Sequence, residues 1–240
     1  MITLPFYIAN IMAGFVVSKA KRHILRGRVN TFFYRSTMAR FIKHVYGEKI
    51  KDVKFVRQHT PDRCVCVIND KYFVKIFKKN KGAHLANFEF LVNYVRDNLK
   101  VAIPQVFIAK NNHMYVTELM PGRGIYDFDT KFVLKNEEKI LNNVSQVISD
   151  LQSIDIHKIR DAQRFCIPLE STTNNPQIEP ITKDSVLSHG DMNLRNFLFD
   201  DDLNIIGLID FDSMAITNDK NKDMQNFIKY WNRYKENSQK

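Results

Sequence analysis

Four polar residues at fixed spacing constrain this chain more than any other feature. In the run from Leu187 to Asp212, His189-x-Asp191-x-x-x-x-Asn196 is followed, fourteen residues beyond Asn196, by Asp210 at the end of the apolar strand Ile205 to Ile209. Four specified residues in that register arise by chance in a chain of this length about once in a thousand. The residue types fit one chemistry. A phosphoryl-transfer site needs a carboxylate to orient an attacking hydroxyl and take its proton, and hard oxygen ligands to hold Mg²⁺ on the phosphates. Asp191 suits the first task, Asn196 and Asp210 the second. Singly, each would read as a turn, cap or loop residue; together they point to catalysis.

The residues ahead of this run read as a strand-rich half. Asp52 to Arg57, Cys64 to Ile68 and Tyr72 to Phe77 are short β-branched or aromatic runs separated by turn-like residues, an antiparallel meander. A helix follows over about Ala83 to Leu99, with Leu85, Phe88, Val92, Val95 and Leu99 on one face. Strands near Gln105 to Ala109 and Met114 to Glu118 flank the turn Lys110-Asn111-Asn112, and Pro121-Gly122 closes the half. Beyond it come an amphipathic helix over Lys135 to Ser153, an irregular Pro-, Asn- and Thr-rich stretch over 160–185, and a last helix over about Lys222 to Tyr234 packing through Met224, Phe227, Ile228 and Trp231.

The strings H-G-D-x-x-x-x-N-F-L and I-D-F-D resemble those of the protein-kinase-like superfamily. They are closer to the aminoglycoside and choline phosphotransferases and the bacterial lipopolysaccharide sugar kinases than to eukaryotic protein kinases. Over about residues 51–230 the resemblance implies an α+β, two-lobed fold: a five-stranded antiparallel sheet plus helix, hinged to a mainly helical lobe. Residues 1–50 would be a basic, helical N-terminal extension, 51–120 the first lobe and 121–240 the second. It further implies that Lys75 in V-K-I-F-K grips phosphates and that Glu89 on the next helix partners it. The Glu118 carbonyl and the Met120 N–H would contact adenine, with Thr117 at the gate behind. ATP and Mg²⁺ are the cofactors so implied.

Three departures narrow the resemblance. The turn Gln58 to Arg63 has no glycine, so it cannot close on phosphates as a Gly-rich loop does. Asp212 stands where a protein kinase has glycine, and no activation segment follows. Only 30 residues follow Asp210, too few for the large helical substrate cradle of aminoglycoside kinases. The acceptor side is therefore expected to be open, which suits a sugar hydroxyl of a cell-surface glycan or glycolipid precursor. A cationic acceptor of the choline or aminoglycoside type stays open, because Asp127, Asp129, Glu170, Glu179, Asp200 to Asp202 and Asp212 supply acids. A kinase-fold binding protein without transfer is a further alternative, against which the intact residue set counts.

The net charge is +10, of which +8 lies in residues 1–50. Residues 1–18 carry no charged side chain and are rich in large apolar ones, ahead of Lys19, Lys21 and Arg22. Two readings compete: an amphipathic helix lying on an anionic membrane surface, and a helix packed on the domain behind it. Basic residues interleaved with Phe32, Phe33 and Tyr34 form no recognisable nucleic-acid motif, and the three aromatics are expected in the core. Three cysteines, an odd number, read as reduced, buried strand residues of a cytoplasmic protein, which on the membrane reading of residues 1–50 is peripheral on the inner membrane face, and their spacing argues against zinc.

Overall fold

Three strands buried along most of their length on both faces build the first half of the molecule. The computed structural model describes residues 19–56, 63–77, 82–109, 113–169 and 180–238. Two compact units emerge: one from the described residues of Met1–Ala86 and Val106–Leu119, the other from Asn87–Gln105 and Met120–Lys240.

In the first unit, β1 (Val53–Phe55), β2 (Arg63–Ile68), β3 (Tyr72–Phe77), β4 (Phe107–Ile108) and β5 (Met114–Glu118) form one antiparallel sheet in the order β1-β2-β3-β5-β4. Successive side chains point to opposite faces. Cys66, Val74 and Val116 therefore share one face with Ile68, Tyr72, Ile76 and Met114, all buried. The helix α1 (Lys19–Tyr46) covers that face. Its Tyr34, Met38, Phe41 and Ile42, at spacings of four, three and one, join these sheet residues in one apolar cluster, with Val45 and Tyr46 at its margin. Tyr46 stacks on Tyr72 at 4.2 Å between ring centroids.

The packing reading of the N-terminal segment thus holds for 34–46, whereas the apolar run 1–18 lies outside the described residues. Tyr34 is in the core as expected, but Phe32 and Phe33 are not: they are 76% and 44% exposed. They fall on the helix side turned away from the stripe that meets the sheet. Cys64 and Cys66 are buried strand residues; Cys166, also expected in a strand, sits half-buried in a 3-10 turn (Ala162–Cys166). Burial pushes the Cys66 thiol pKa up, and neighbouring Cys64 adds to that. The turns Gln58 to Asp62 and Lys110 to Asn112 are outside the described residues.

The chain leaves β3 for helix α2 (Gly82–Asn98), whose Leu85, Phe88, Val92 and Val95 are buried as their spacing requires. In the second unit, the helix expected over Lys135 to Ser153 is α4 (Glu137–Gln152), and a short helix not expected from the sequence, α3 (Thr130–Lys135), precedes it. Asp129 starts α3 by accepting from the Phe132 N–H at 3.0 Å, and the backbone breaks at Asn136. Ile140, Val144, Val147, Ile148 and Leu151 bury the apolar face of α4.

The last helix, α5 (Lys222–Ser238), packs Phe227, Trp231 and Tyr234, while Met224 at the start of that stripe is half-buried and Ile228 beside it is 39% exposed. Glu137 at the start of α4 accepts from Trp231 Nε1 (2.7 Å) and Lys235 Nζ (2.8 Å). Two small antiparallel pairs complete the unit: β6 (Val186–Ser188) with β9 (Ala215–Thr217), and β7 (Phe197–Phe199) with β8 (Ile205–Leu208). No helix among the described residues is long and apolar enough to cross a membrane.

Candidate active site

The two small strand pairs frame the four-residue motif. β6 ends at Ser188, the chain passes through His189 to Asn193, a 3-10 turn (Leu194–Asn196) follows, and β7 begins at once. Asp191 is half-buried and held by two amides. Asn196 Nδ2 donates to its main-chain oxygen at 2.8 Å and reaches Oδ2 at 3.4 Å, while Asn193 Nδ2 donates to Oδ2 at 2.9 Å. Asn193 is in turn set by its own Oδ1, which accepts from the Arg195 N–H at 2.9 Å. The Asp191 carboxylate is therefore aimed by its neighbours.

Asp210 is brought to the same place by main chain. The Ile209 N–H donates to the Asn196 carbonyl at 2.9 Å, so the end of β8 is tied to the end of the motif. Asp210 itself has φ of 62°, the left-handed region that side chains other than glycine and Asn or Asp rarely enter. That conformation turns the chain sharply between β8 and the 3-10 turn Phe211–Ser213.

His189 is fully buried, and its role is to hold this frame. Its Nε2 lies 3.0 Å from the Ile209 carbonyl and its ring packs on Phe211 at 4.7 Å. A carbonyl only accepts, so Nε2 carries the proton. Gly190 next to it has φ of 80°, and a Cβ there would stand 2.1 Å from the Ser213 carbonyl oxygen. Only glycine fits this crossing of two chains.

Sequence reasoning missed one residue of the frame. Asp223, in the first turn of α5 and 1% exposed, accepts from Ser188 Oγ (2.9 Å), the His189 N–H (2.8 Å) and the Gly190 N–H (2.9 Å). One carboxylate thus pins the three residues that lead into Asp191. Its sequence position, 34 residues after His189 and beside Lys222, reads only as an acid favoured at a helix start.

The remaining sequence-predicted residues lie on two units. Lys75 is 2% exposed on β3; Phe73, Tyr115 and Thr117 share its sheet face, opposite to the face that α1 covers. Its ammonium lies 5.8 Å from the Phe73 ring centroid and 5.7 Å from that of Tyr115. Thr117 is buried and Glu118 exposed. β4 reaches only to Phe107 opposite Val116, so the main chain of Glu118 runs on past its outer neighbour. Met120 begins the second unit, and its N–H has no main-chain partner among the described residues. Glu89, half-buried on α2, also belongs to the second unit.

The donor set at the motif can be tested for a divalent cation. Asn196 Nδ2 is committed to Asp191, which leaves Oδ1 as a hard oxygen beside the Asp210 segment. An amide oxygen and a carboxylate carried on two segments joined by the Ile209 to Asn196 main-chain bond are donor types that fit Mg²⁺, which takes one or two protein ligands together with phosphate oxygens and water. Among the described residues no cluster of three His, Cys, Asp or Glu forms an all-protein metal cage.

Residues 172–218, which include Asp191, Asn196 and Asp210, match the model of the phosphotransferase enzyme family. No curated protein sequence matches the chain at a significant level. Solved structures do. The streptomycin–ATP ternary complex of APH(2")-IIa superposes with a TM-score of 0.58 at 16% identity, over 78% of this chain and 73% of that one. The GDP complex of wild-type aminoglycoside 2'-phosphotransferase-IIIa gives 0.58 at 15% identity, over 84% and 79%. The apoenzyme of macrolide 2'-phosphotransferase MphH from Brachybacterium faecium gives 0.54 at 15% identity, over 85% and 83%. The chain has the two-unit, kinase-like α+β fold of the aminoglycoside and macrolide phosphotransferases, and its motif segment is similar to the corresponding part of the phosphotransferase enzyme family.

Proposed function

We propose that the protein is an ATP-dependent phosphotransferase that phosphorylates a hydroxyl of a sugar in a lipopolysaccharide, capsule or other surface-glycan precursor. The observation that carries this reading is the aimed Asp191 carboxylate, gripped by Asn193 and Asn196 next to the strand end that bears Asp210. Asp191 would orient the acceptor hydroxyl and take its proton as the new O–P bond forms and the bond from the γ-phosphorus to the β-phosphate oxygen breaks, releasing ADP. Asn196 and Asp210 would hold Mg²⁺, which when bound neutralises charge on the phosphates. Lys75 would bind the phosphates, with Glu89 its partner, while Thr117, Glu118 and Met120 would line the adenine site. A carboxylate positioned in this way contributes about 100-fold or more to rate. Asp191→Ala and Asp210→Ala should each abolish Mg²⁺-dependent ATP consumption with the far-UV circular dichroism unchanged; near-normal turnover in either would remove the assignment.

The same reading places the enzyme at an anionic membrane face. Exposed Phe32 and Phe33 beside exposed Arg35, Arg40 and Lys43 on α1 support it. Phe32→Ser/Phe33→Ser should reduce co-sedimentation with phosphatidylglycerol vesicles. Pelleting equal to wild type would discard the membrane role.

A further inference from the structure

A recess lies against the motif. Tyr126, from the 3-10 turn Ile125–Asp127, faces a stretch of α5 in which Tyr230, Arg233, Tyr234 and Asn237 recur at three- and four-residue spacing on one side of the helix. With Asn193 and Arg195 these residues line a cavity of about 510 Å³. That volume is within the range that holds small ligands, about 300–1,000 Å³. Its wall is continuous with the site, since Asn193 donates to the Asp191 carboxylate. Behind it the rings of Phe197, Phe227, Trp231 and Tyr234 run from the core to Tyr126 with centroids 5.5–6.1 Å apart, which makes the floor rigid.

The charge of this recess is one-sided. None of the described residues lining it is acidic. Arg195 lies over the Tyr126 ring at 5.4 Å and Arg233 near the Tyr230 ring at 5.8 Å, and neither guanidinium makes an ion pair among the described residues. Four of the acids that a cationic acceptor could use are committed to local bonds. Asp127 accepts from the Gly124 N–H, Asp129 caps α3, Asp201 pairs with Arg123, and Asp200 accepts from Asn204 and the Asp202 N–H in the β7–β8 turn. Asp212 is buried, and Glu170 and Glu179 lie outside the described residues.

We infer that this recess is the acceptor subsite and that it selects a saccharide bearing a phosphate or carboxylate group, held by the Arg195 and Arg233 guanidiniums against the tyrosine faces. The inference rests on the phosphotransferase reading and names its substrate class. An uncommitted guanidinium offers a planar fork of donors that matches phosphate and carboxylate. The tyrosines supply rigid apolar faces with polar tips for the sugar. A polycationic aminoglycoside would meet like charge here.

The test measures binding to the full chain by calorimetry, without nucleotide, using glucose 6-phosphate, glucuronate, glucose and kanamycin. Glucose 6-phosphate and glucuronate should bind more tightly than glucose, and kanamycin most weakly. Arg195→Gln and Arg233→Gln should each weaken glucose 6-phosphate about 10-fold, as loss of a charge-assisted bond does, with glucose unaffected. Both side chains are exposed, so the fold should survive, and unchanged emission from the sole tryptophan, Trp231, checks this. Kanamycin binding above glucose 6-phosphate, or sugar-phosphate affinity indifferent to both arginines, would overturn the inference. So would arginine-dependent binding of phosphatidylglycerol vesicles with no binding of sugar phosphate, which would assign the phosphate to a lipid headgroup. Arginine-dependent binding without ATP turnover would leave the subsite standing and sink the transferase reading; Asp191-dependent turnover without it would do the reverse.

Discussion

Asp223→Ala should be among the most damaging single changes in the second unit, and its cost can be worked from the bonds it removes. The carboxylate accepts from the His189 and Gly190 N–H groups and from the Ser188 hydroxyl, and Ser188 and His189 are buried. Gly190 keeps a second acceptor, Ser188 Oγ at 3.1 Å, whereas the His189 N–H is left with none. Each stranded buried polar group costs about 1–3 kcal/mol, so the His189 amide and the Ser188 hydroxyl together give about 2–6 kcal/mol. Release of the buried carboxylate from its own desolvation pulls the net toward the lower half of that range. For a chain of this size the melting temperature should fall by roughly 5–15 °C. Asp223→Asn retains one accepting oxygen but turns an NH₂ toward donors, so it should fall between wild type and alanine. Urea unfolding followed by Trp231 emission measures this, because that residue is the sole tryptophan, is buried, and lies on the same helix two turns on. Turnover should drop with stability, since the loop that aims Asp191 loses its anchor. An Asp223→Ala protein within about 0.5 kcal/mol of wild type and with normal turnover would refute the anchoring argument.

Two further changes follow from the same unit. Gly190→Ala places a methyl 2.1 Å from the Ser213 carbonyl oxygen at a φ of 80°, and should lose more than the roughly 1–2 kcal/mol of a left-handed residue alone; urea unfolding with wild-type stability would contradict the crossing described. Hydrogen bonds from Lys235 and then Trp231 hold the Glu137 carboxyl below its ordinary value of 4.5, so its contribution is complete above that pH and is lost as pH falls through the lower folded value. The stability gap between wild type and Glu137→Gln should therefore narrow below about pH 4.5, and a gap that stays constant to pH 3 in acid-titrated melts would show that the pair is not linked to folding.

Much of this arrangement was legible in the sequence because its signals are local. β3 and β5 are short apolar runs rich in β-branched and aromatic residues between turn signals, and α2, α4 and α5 carry helical spacing over several turns. The motif declared itself through fixed spacing. What escaped was short or distant. β6, β7 and β9 have three residues each, too few for a period, and they form only because the motif loop brings them together. The acids 200–202 looked like ligands for a cation, yet Asp200 is spent on a tight turn in which Leu203 takes a φ of 62°. Asp223 depends on a contact 34 residues away, and Arg195 and Arg233 meet only through the fold. Phe32 and Phe33 were misplaced because hydrophobicity alone does not say which side of α1 meets the sheet; the stripe Tyr34, Met38, Phe41, Ile42 does.

The central claim is that Asp191 serves phosphoryl transfer to a sugar hydroxyl. The most direct measurement supplies the full chain with Mg²⁺, γ-labelled ATP and glucose 6-phosphate or glucuronate, and follows label into the saccharide by mass spectrometry and thin-layer separation. Wild type should transfer one phosphoryl group per turnover, and Asp191→Asn should transfer about 100-fold less or slower still with its Trp231 emission unchanged. Transfer by Asp191→Asn at the wild-type rate, or label appearing only as free phosphate from both proteins, would contradict it.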